Sequence, residues 1–240
     1  METARVDRTA YTVEDQVRMS RAENYFAWQS RLIHAELGRR IVEVGCGVGN
    51  FTGTLLDRDL VLAVDVEPRC IERLEDRYPG HPNLHCVVCD VDSSRFRALA
   101  RFQPDTCVCL NVLEHTPDDD AAAGAMAAVL APGGAIVFLL PAFPSLYGPI
   151  DRNLGHYRRY RKADVRRLAD RAGLRLRRLR YFNFPGFFGW WINARLLRRQ
   201  AQSEGQIRVF DRYLVPPVAA LERALPPPFG QSLFAVLEKP

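Results

Sequence analysis

The stretch Val42-Glu43-Val44-Gly45-Cys46-Gly47-Val48-Gly49-Asn50-Phe51-Thr52 leaves few folds open to this chain. An apolar run, Ile41 to Val44, has the length and branching of a buried strand, and three glycines at alternating positions then interrupt it. Glycine serves where a backbone must bend sharply and come close to a ligand with no Cβ in the way. A helix begun behind such a turn offers free N–H groups to polar or anionic atoms. The arrangement is that of a nucleotide-cofactor turn. In the dinucleotide fingerprint G-x-G-x-x-G the third glycine falls where this chain has Asn50. Here it comes one residue early, at Gly49, which weighs against a nicotinamide cofactor.

Beyond this turn the chain alternates strand and helix. A helix is predicted from about Asn50 to Leu56, then a strand from Leu60 to Val64 ending in Asp65, a helix from Pro68 to Tyr78 and a strand from Leu84 to Cys89. Asp90 and Val91 stand at the end of that strand. The next, Thr106 to Leu110, runs into Asn111-Val112-Leu113-Glu114-His115 and an acidic turn. An alanine-rich helix, Ala121 to Leu130, a Pro132-Gly133-Gly134 turn and a strand from Ala135 to Leu140 complete the regular part. Strict βα alternation predicts a parallel sheet covered by helices on both faces. Ahead of it, Val13 to Leu37 has a helical period stopped by Gly38, with Tyr25 and Trp28 placed either to pack in the core or to touch ligand.

The strand ending in Glu43 with G-x-G-x-G, the acid at Asp65, Asp90-Val91, N-V-L-E-H and the L-x-P-G-G turn together resemble the class I S-adenosylmethionine-dependent methyltransferases. The resemblance implies an α/β, Rossmann-like, doubly wound seven-stranded sheet in the order 3-2-1-4-5-7-6, its last strand antiparallel. It implies an N-terminal helical cap over residues 1–38 and a core over 39–240, with insertions at 141–161 and 183–230. The cofactor it implies is S-adenosylmethionine, the product S-adenosylhomocysteine, and no metal is required. On that pattern Glu43 lies near the cofactor's amino group, and Gly45, Cys46 and Gly47 hold its methionine half. Asp65, with Val66 beside it, takes the ribose hydroxyls. Asp90 meets the adenine amine and Val91 the ring face, while Asn111, Val112 and Leu113 form the floor.

For catalysis, His115 as a neutral imidazole could take a proton from a hydroxyl while a methyl moves, or could be a histidine hydrogen-bonded in its loop. Residues 141–161 are too rich in proline, glycine and aromatics for a helix, and they follow the carboxyl end of a central strand, where open α/β sheets bind ligands. The L-Y-G-x-x-D and G-H-Y-R-R-Y elements in this loop resemble a subgroup of small bacterial methyltransferases. Asp151, His156 and Tyr157 are candidate acid, base and hydrogen-bond partner. Tyr147 is a candidate acceptor contact, and Arg158 and Arg159 can clamp a carboxylate or phosphate. A structural loop pinned by arginine pairs is the alternative.

Lys162 to Ala172 reads as a helix, Leu174 to Tyr181 as a half-exposed edge strand and Ser232 to Leu237 as the last strand. Between the two strands lies Phe184-Pro185-Gly186-Phe187-Phe188-Gly189-Trp190-Trp191, then a basic helix from Ile192 to Arg199 and an amphipathic segment from Phe210 to Leu225. Trp190 is the candidate acceptor contact there. The segment could be a lid, a dimer contact or a membrane-surface element.

At 240 residues and 48% hydrophobic, the chain suits one domain with elaborations. It has no apolar run long enough to span a bilayer, and Met1 to Ser20 is charged rather than signal-like, so a soluble, cytoplasmic protein is expected. The net charge of +5 comes almost wholly from arginine, Lys162 and Lys239 being its lysines. Most of the arginines between Arg152 and Arg180 read as a solvated face. With no RNA-binding module and no N-P-P-[YF] signature, a nucleic-acid partner is not expected. Cys86 and Cys89, and Cys107 and Cys109, fall inside strands rather than in zinc knuckles and read as small buried hydrophobes. The expectation is methyl transfer to a small-molecule acceptor, a natural-product or sugar intermediate, at oxygen first and otherwise at nitrogen or carbon. A lipid-linked or isoprenoid acceptor with a peripheral membrane contact, a nicotinamide oxidoreductase and a non-catalytic binding protein on the same fold are the alternatives. Monomer and homodimer both fit.

Overall fold

The computed structural model describes residue 13, residues 16–197 and residues 203–240. Seven strands, β1 (Arg40–Val44), β2 (Leu60–Asp65), β3 (Leu84–Val88), β4 (Thr106–Leu110), β5 (Ala135–Pro141), β6 (Arg175–Phe182) and β7 (Ser232–Glu238), form one sheet in the order β3-β2-β1-β4-β5-β7-β6. β1 pairs in parallel with β2 and β4, Val42 facing Leu62 and Cys107, while β7 is antiparallel to both β5 and β6. This is the expected order.

The central strands are apolar on both faces because both are covered. Val42, Val44, Leu62, Cys107, Phe138 and Leu140 pack toward helices α3 (Asp119–Val129) and α4 (Lys162–Arg171). The alternate residues Ile41, Val61, Val108, Val137 and Leu139 pack with Trp28 and Ile33 of α1 (Glu23–Ile33) and with Val215 and Ala219 of α6 (Val215–Ala224). Ala63 meets Ile71 and Leu74 of α2 (Pro68–Arg77). Truncating a fully buried leucine such as Leu62 to alanine should cost about 2–5 kcal/mol. All six cysteines are free. Cys86 and Cys107 lie on β3 and β4, with β2 and β1 between them.

Several helical expectations are corrected. The segment from Val13 to Leu37 is not one helix. Residues 16–19 are helical, a turn intervenes, and α1 begins only at Glu23, because Ala22 (φ −92°, ψ 59°) leaves the helical region; residues 14 and 15 lie outside the described residues. After the glycine turn, the helix expected from Asn50 to Leu56 is a single 3-10 turn, Thr52–Leu55, whose Thr-Gly-Thr run is a poor helix former. Residues 141–161 do contain helix: a 3-10 turn at Pro144–Leu146 and one α-turn at Pro149–Asn153. Each puts proline at its start, where the missing N–H costs nothing, and Asp151 caps the second by accepting from the Gly148 N–H at 2.8 Å. The basic helix expected from Ile192 to Arg199 is a π-turn, Ile192–Leu196, that continues α5 (Phe184–Trp191), with residues 198–202 outside the described residues. Another π-turn, Phe210–Leu214, precedes α6.

The carboxyl ends of β4, β5 and β6 open on the same side of the sheet, and each chain leaves it through a left-handed residue. These are Asn111 (φ 54°), Phe143 (φ 60°) and Asn183 (φ 64°). Left-handed backbone is costly for phenylalanine. Phe143 is held there by the hydrogen bond from its N–H to the Tyr160 carbonyl, by stacking on Tyr181 and by the edge of Phe187.

Candidate functional site

One cavity of about 1100 Å³ lies over the carboxyl ends of β1, β2 and β4 and extends beneath the two insertions. Its volume exceeds the few hundred Å³ that a small ligand needs. At one end is the glycine turn. Gly45 (φ +71°) sits under Val112, with which a Cβ would collide, so the turn closes only with glycine there. The Gly45 and Cys46 N–H groups donate to the Val64 carbonyl, and the Gly47 N–H donates to Asp65 Oδ2 at 2.8 Å. Asp65 Oδ1 accepts from the Glu67 N–H. The β1–β2 tip is thus a preorganised loop braced by the carboxylate that ends β2.

Glu43 and Asp65 are both buried beside this turn, and among the described residues neither has an ion-pair partner. Glu43 Oε2 accepts from the Thr52 hydroxyl at 2.7 Å. Burial pushes its carboxyl up to about 8, with the nearby Asp65 charge adding to the rise. Asp65 is raised too, by burial, against the pull of its backbone N–H partners. Two desolvated carboxyls without a cation suit a ligand that brings an ammonium and neighbouring hydroxyls. Val66, Asp90, Val91, Asn111 and Val112 complete the rim, whereas Gly47 and Leu113 lie behind the cavity wall.

At the other end, the 141–161 segment folds around Asp151. This side chain is fully buried and meets four donors: the Gly148 N–H (2.8 Å), Arg159 Nε (2.8 Å), His156 Nδ1 (3.0 Å) and Trp190 Nε1 (3.4 Å). Burial would raise its pKa, but the His156 hydrogen bond and the Arg159 charge outweigh burial and lower it. A carboxylate only accepts, so His156 carries its proton on Nδ1 and, when neutral, leaves Nε2 as an acceptor. Arg159 is buried, with Nη1 on the Ala142 carbonyl and its guanidinium 4.5 Å from the Trp190 ring centroid.

His115 meets the ring of His156 edge-on at 4.6 Å. Burial, with the neighbouring His156 charge, depresses it to about 3, so it is neutral at pH 7 and a weak base; taking up a proton there would cost about 5 kcal/mol. Beside both histidines is Glu114, fully buried, to which no role is given by its place in N-V-L-E-H. One ligand atom from each of Glu114, His115 and His156 lies within 4.8 Å of the others.

The structure therefore brings His115, His156, Tyr157, Arg159 and Trp190 to the cavity and leaves others off it. Asp151 sits behind His156, spent on four donors, and cannot reach an acceptor as an acid or base. Arg158 pairs with Asp119 at 2.7 Å and donates to the Pro117 carbonyl, facing away from the cavity. Tyr147 donates its hydroxyl to the His156 carbonyl and props the loop. Tyr25 lines the cavity, whereas Trp28 packs against Phe182 with ring centroids 4.2 Å apart. Gln29, Asn183 and Val209, on which no motif falls, join them, as do Phe210 and Leu214 of the expected amphipathic segment. They come from elements far apart in the chain. Glu114 was visible in the sequence only as the acid between Leu113 and His115 in N-V-L-E-H.

Residues 42–136, from β1 to β5, match the family described as "Methyltransferase domain". Over these residues the chain is similar to that family. Its sequence relatives include proteins called ubiquinone biosynthesis O-methyltransferase. That of Xanthomonas euvesicatoria is 34% identical over 103 residues, 40% of this chain and 41% of the relative. That of Paracidovorax citrulli is 29% identical over 104 residues, 42% and 43% of the two chains. The chain thus spans less than half the length of these relatives. Over most of its length the chain shares its fold with solved methyltransferase structures. A SAM-dependent methyltransferase from Archaeoglobus fulgidus superposes with a TM-score of 0.60 at 18% identity, over 91% of this chain and 94% of the other.

Proposed function

We propose that the protein transfers the methyl group of S-adenosylmethionine to a hydroxyl of a small-molecule acceptor. The observation that carries this reading is the continuous cavity joining the glycine turn to a histidine whose Nε2 is held ready by Asp151. The bound sulfonium would supply an electrophilic methyl group. This chain's residues do the rest. Glu43 and Asp65 suit the ammonium and ribose hydroxyls of that cofactor, and Asp90 and Val91 suit its base. His156 is the better base than His115, which is neutral at pH 7 and resists taking up a second proton. His115 is a neutral wall and hydrogen-bond partner. Alignment of acceptor oxygen and methyl carbon in this cavity supplies much of the rate.

The names of the relatives support oxygen as the atom methylated. A second reading, an acceptor with an isoprenoid-like or lipid-linked tail, is favoured by the apolar side chains Trp190, Val209, Phe210 and Leu214 that line the cavity. Phe188, Trp191, Ile192 and Leu196 stand exposed just outside it, suited to a peripheral membrane contact. Among the described residues no helix is long and apolar enough to cross a membrane. The test is transfer of radiolabelled methyl from S-adenosylmethionine into an extract of the source cells, partitioned between organic solvent, water and precipitate. Aqueous label supports a polar metabolite and organic label the apolar acceptor. Label only in precipitated macromolecule, or protein that binds no S-adenosylmethionine, refutes the proposal.

A further inference from the structure

Glu114 has no part in methyl transfer as proposed, yet it is the least compensated carboxyl among the described residues. Its side chain is fully buried and lines the cavity, and neither Oε atom has a hydrogen-bond partner. Such a carboxylate costs several kcal/mol unless something in the working cycle meets it. The backbone fixes it there. Its own carbonyl accepts from the Tyr157 N–H at 2.8 Å, which ties the N-V-L-E-H segment to the G-H-Y-R-R-Y segment and brings Glu114 to His156. Their polar atoms lie within 4.8 Å, a separation one water spans. His156 is therefore flanked by two carboxyls of opposite character. Asp151, on Nδ1, is saturated with donors; Glu114, on the cavity side, has none.

We propose that Glu114 is the final acceptor of the proton that the acceptor hydroxyl loses, receiving it through His156 Nε2. The inference rests on the methyl-transfer reading. In the step, the hydroxyl O–H bond breaks as its oxygen bonds to the methyl carbon. The carbon–sulfur bond breaks with its electron pair left on sulfur, and the proton ends on a Glu114 oxygen. A cationic sulfonium and an anionic carboxylate become a neutral thioether and a neutral acid, so charge balances inside the cavity with no oxidant or reductant. Returning the proton to water then belongs to product release.

The groups facing Glu114 fit this task. Burial pushes its carboxyl up and the Asp151 charge adds to the rise, while His156, its own backbone N–H and Arg159 favour the ionised form, and the balance is a carboxyl raised to about 7. The Tyr160 hydroxyl, buried and also without a partner, and Cys109 are held protonated by burial, with the Glu114 charge adding to the effect, and do not compete for the proton. His115 is depressed and does not compete either.

The test uses the full chain and two variants, Glu114→Gln, which keeps the shape but accepts no proton, and Glu114→Asp. Calorimetric binding of S-adenosylhomocysteine checks both folding and the underlying reading. Infrared spectra of that complex from pH 5 to 9 should show a protonated-carboxyl band that titrates near neutrality and is missing from Glu114→Gln. Methyl transfer into the cell extract should fall roughly 10²–10⁴-fold in Glu114→Gln, lose its rise with pH through neutrality, and be partly restored in Glu114→Asp. Glu114→Gln with wild-type transfer at every pH would overturn the proposal, as would the absence of a titrating band assignable to Glu114. So would activity lost in chelator and regained with a divalent cation, which would give the carboxylate to a metal. If no extract fraction takes label, the band decides alone. Failure to bind S-adenosylhomocysteine would instead sink the methyl-transfer reading, with the band still measurable.

Discussion

Glu43 offers the most direct test of how the site is built. Its carboxyl, ordinarily near 4.5, is raised to about 8 by burial at the end of β1. At pH 7 the folded protein keeps this proton and the unfolded chain releases it. A raised acid leaves stability intact below the unfolded value and removes it as pH climbs toward the folded one. With about 1.4 kcal/mol for each pH unit in the interval, the loss from this residue alone between pH 5 and pH 8 is about 3–4 kcal/mol. Glu43→Gln has the same shape, keeps an oxygen for the Thr52 hydroxyl and does not titrate. Its stability should therefore fall less over that range, by about that amount, in urea unfolding followed at both pH values. Cofactor binding adds a second readout. An ammonium placed beside Glu43 favours the carboxylate, so binding S-adenosylmethionine at pH 7 should expel close to one proton from wild type and fewer from Glu43→Gln, measured by calorimetry in buffers of different ionisation enthalpy. Parallel stability curves for the two proteins, together with equal proton release, would refute the reasoning.

Asp65→Ala should weaken S-adenosylmethionine binding by about 1.5–3 kcal/mol if the carboxylate takes the ribose hydroxyls, and unchanged affinity in a titration would remove it from the site. Asp151→Asn leaves Arg159 buried without its counter-charge. It should cost about 3–5 kcal/mol in thermal or urea unfolding and also slow methyl transfer, whereas wild-type stability would contradict the ion pair. Asp211→Ala tests the coupling of the two cavity walls. Helix α1 has no cap of its own at Ala22; instead Asp211 accepts from the Asn24 and Tyr25 N–H groups across 187 and 186 residues. Its loss should cost about 1–2 kcal/mol and raise hydrogen exchange at both Asn24–Tyr25 and Phe210–Leu214; exchange raised in only one would show that the walls move separately.

The sheet was legible because its evidence is local and repeated. Each of β1 to β5 is a short apolar run, the first four with a polar residue at or beside the carboxyl end, and the βα rhythm leaves little freedom in assembling them. Glu43, Asp65, Asp90 and Asn111 come together on one cavity for the same reason, since each sits where a strand stops. The acceptor side was not legible in this way. Asp151, Arg158 and Arg159 have the residue types of a binding clamp, but a residue type does not say whether its charge is already spent. Here Asp151 neutralises Arg159, and Asp119 takes Arg158. The proline-rich loop hid its helix at Pro149–Asn153 because prolines that break a helix interior are favoured at its first turn.

What sequence spacing cannot express is compensation, and compensation separates the structural from the chemical members of this site. Asp151 and Glu114 are both buried acids beside the same histidine. The first gathers four donors from two segments and is held as a carboxylate, and so can only orient His156. The second meets none, and so has proton affinity to give. A carboxylate locked by hydrogen bonds is a poor proton acceptor, and one that is merely desolvated is a good one. The difference between them comes from Gly148, Arg159 and Trp190, residues up to 39 positions from Asp151 and none of them bonded to Glu114. The pair therefore divides orientation from proton uptake. Replacing Asp151 should damage folding and rate together, while replacing Glu114 with glutamine should damage the rate and leave the fold.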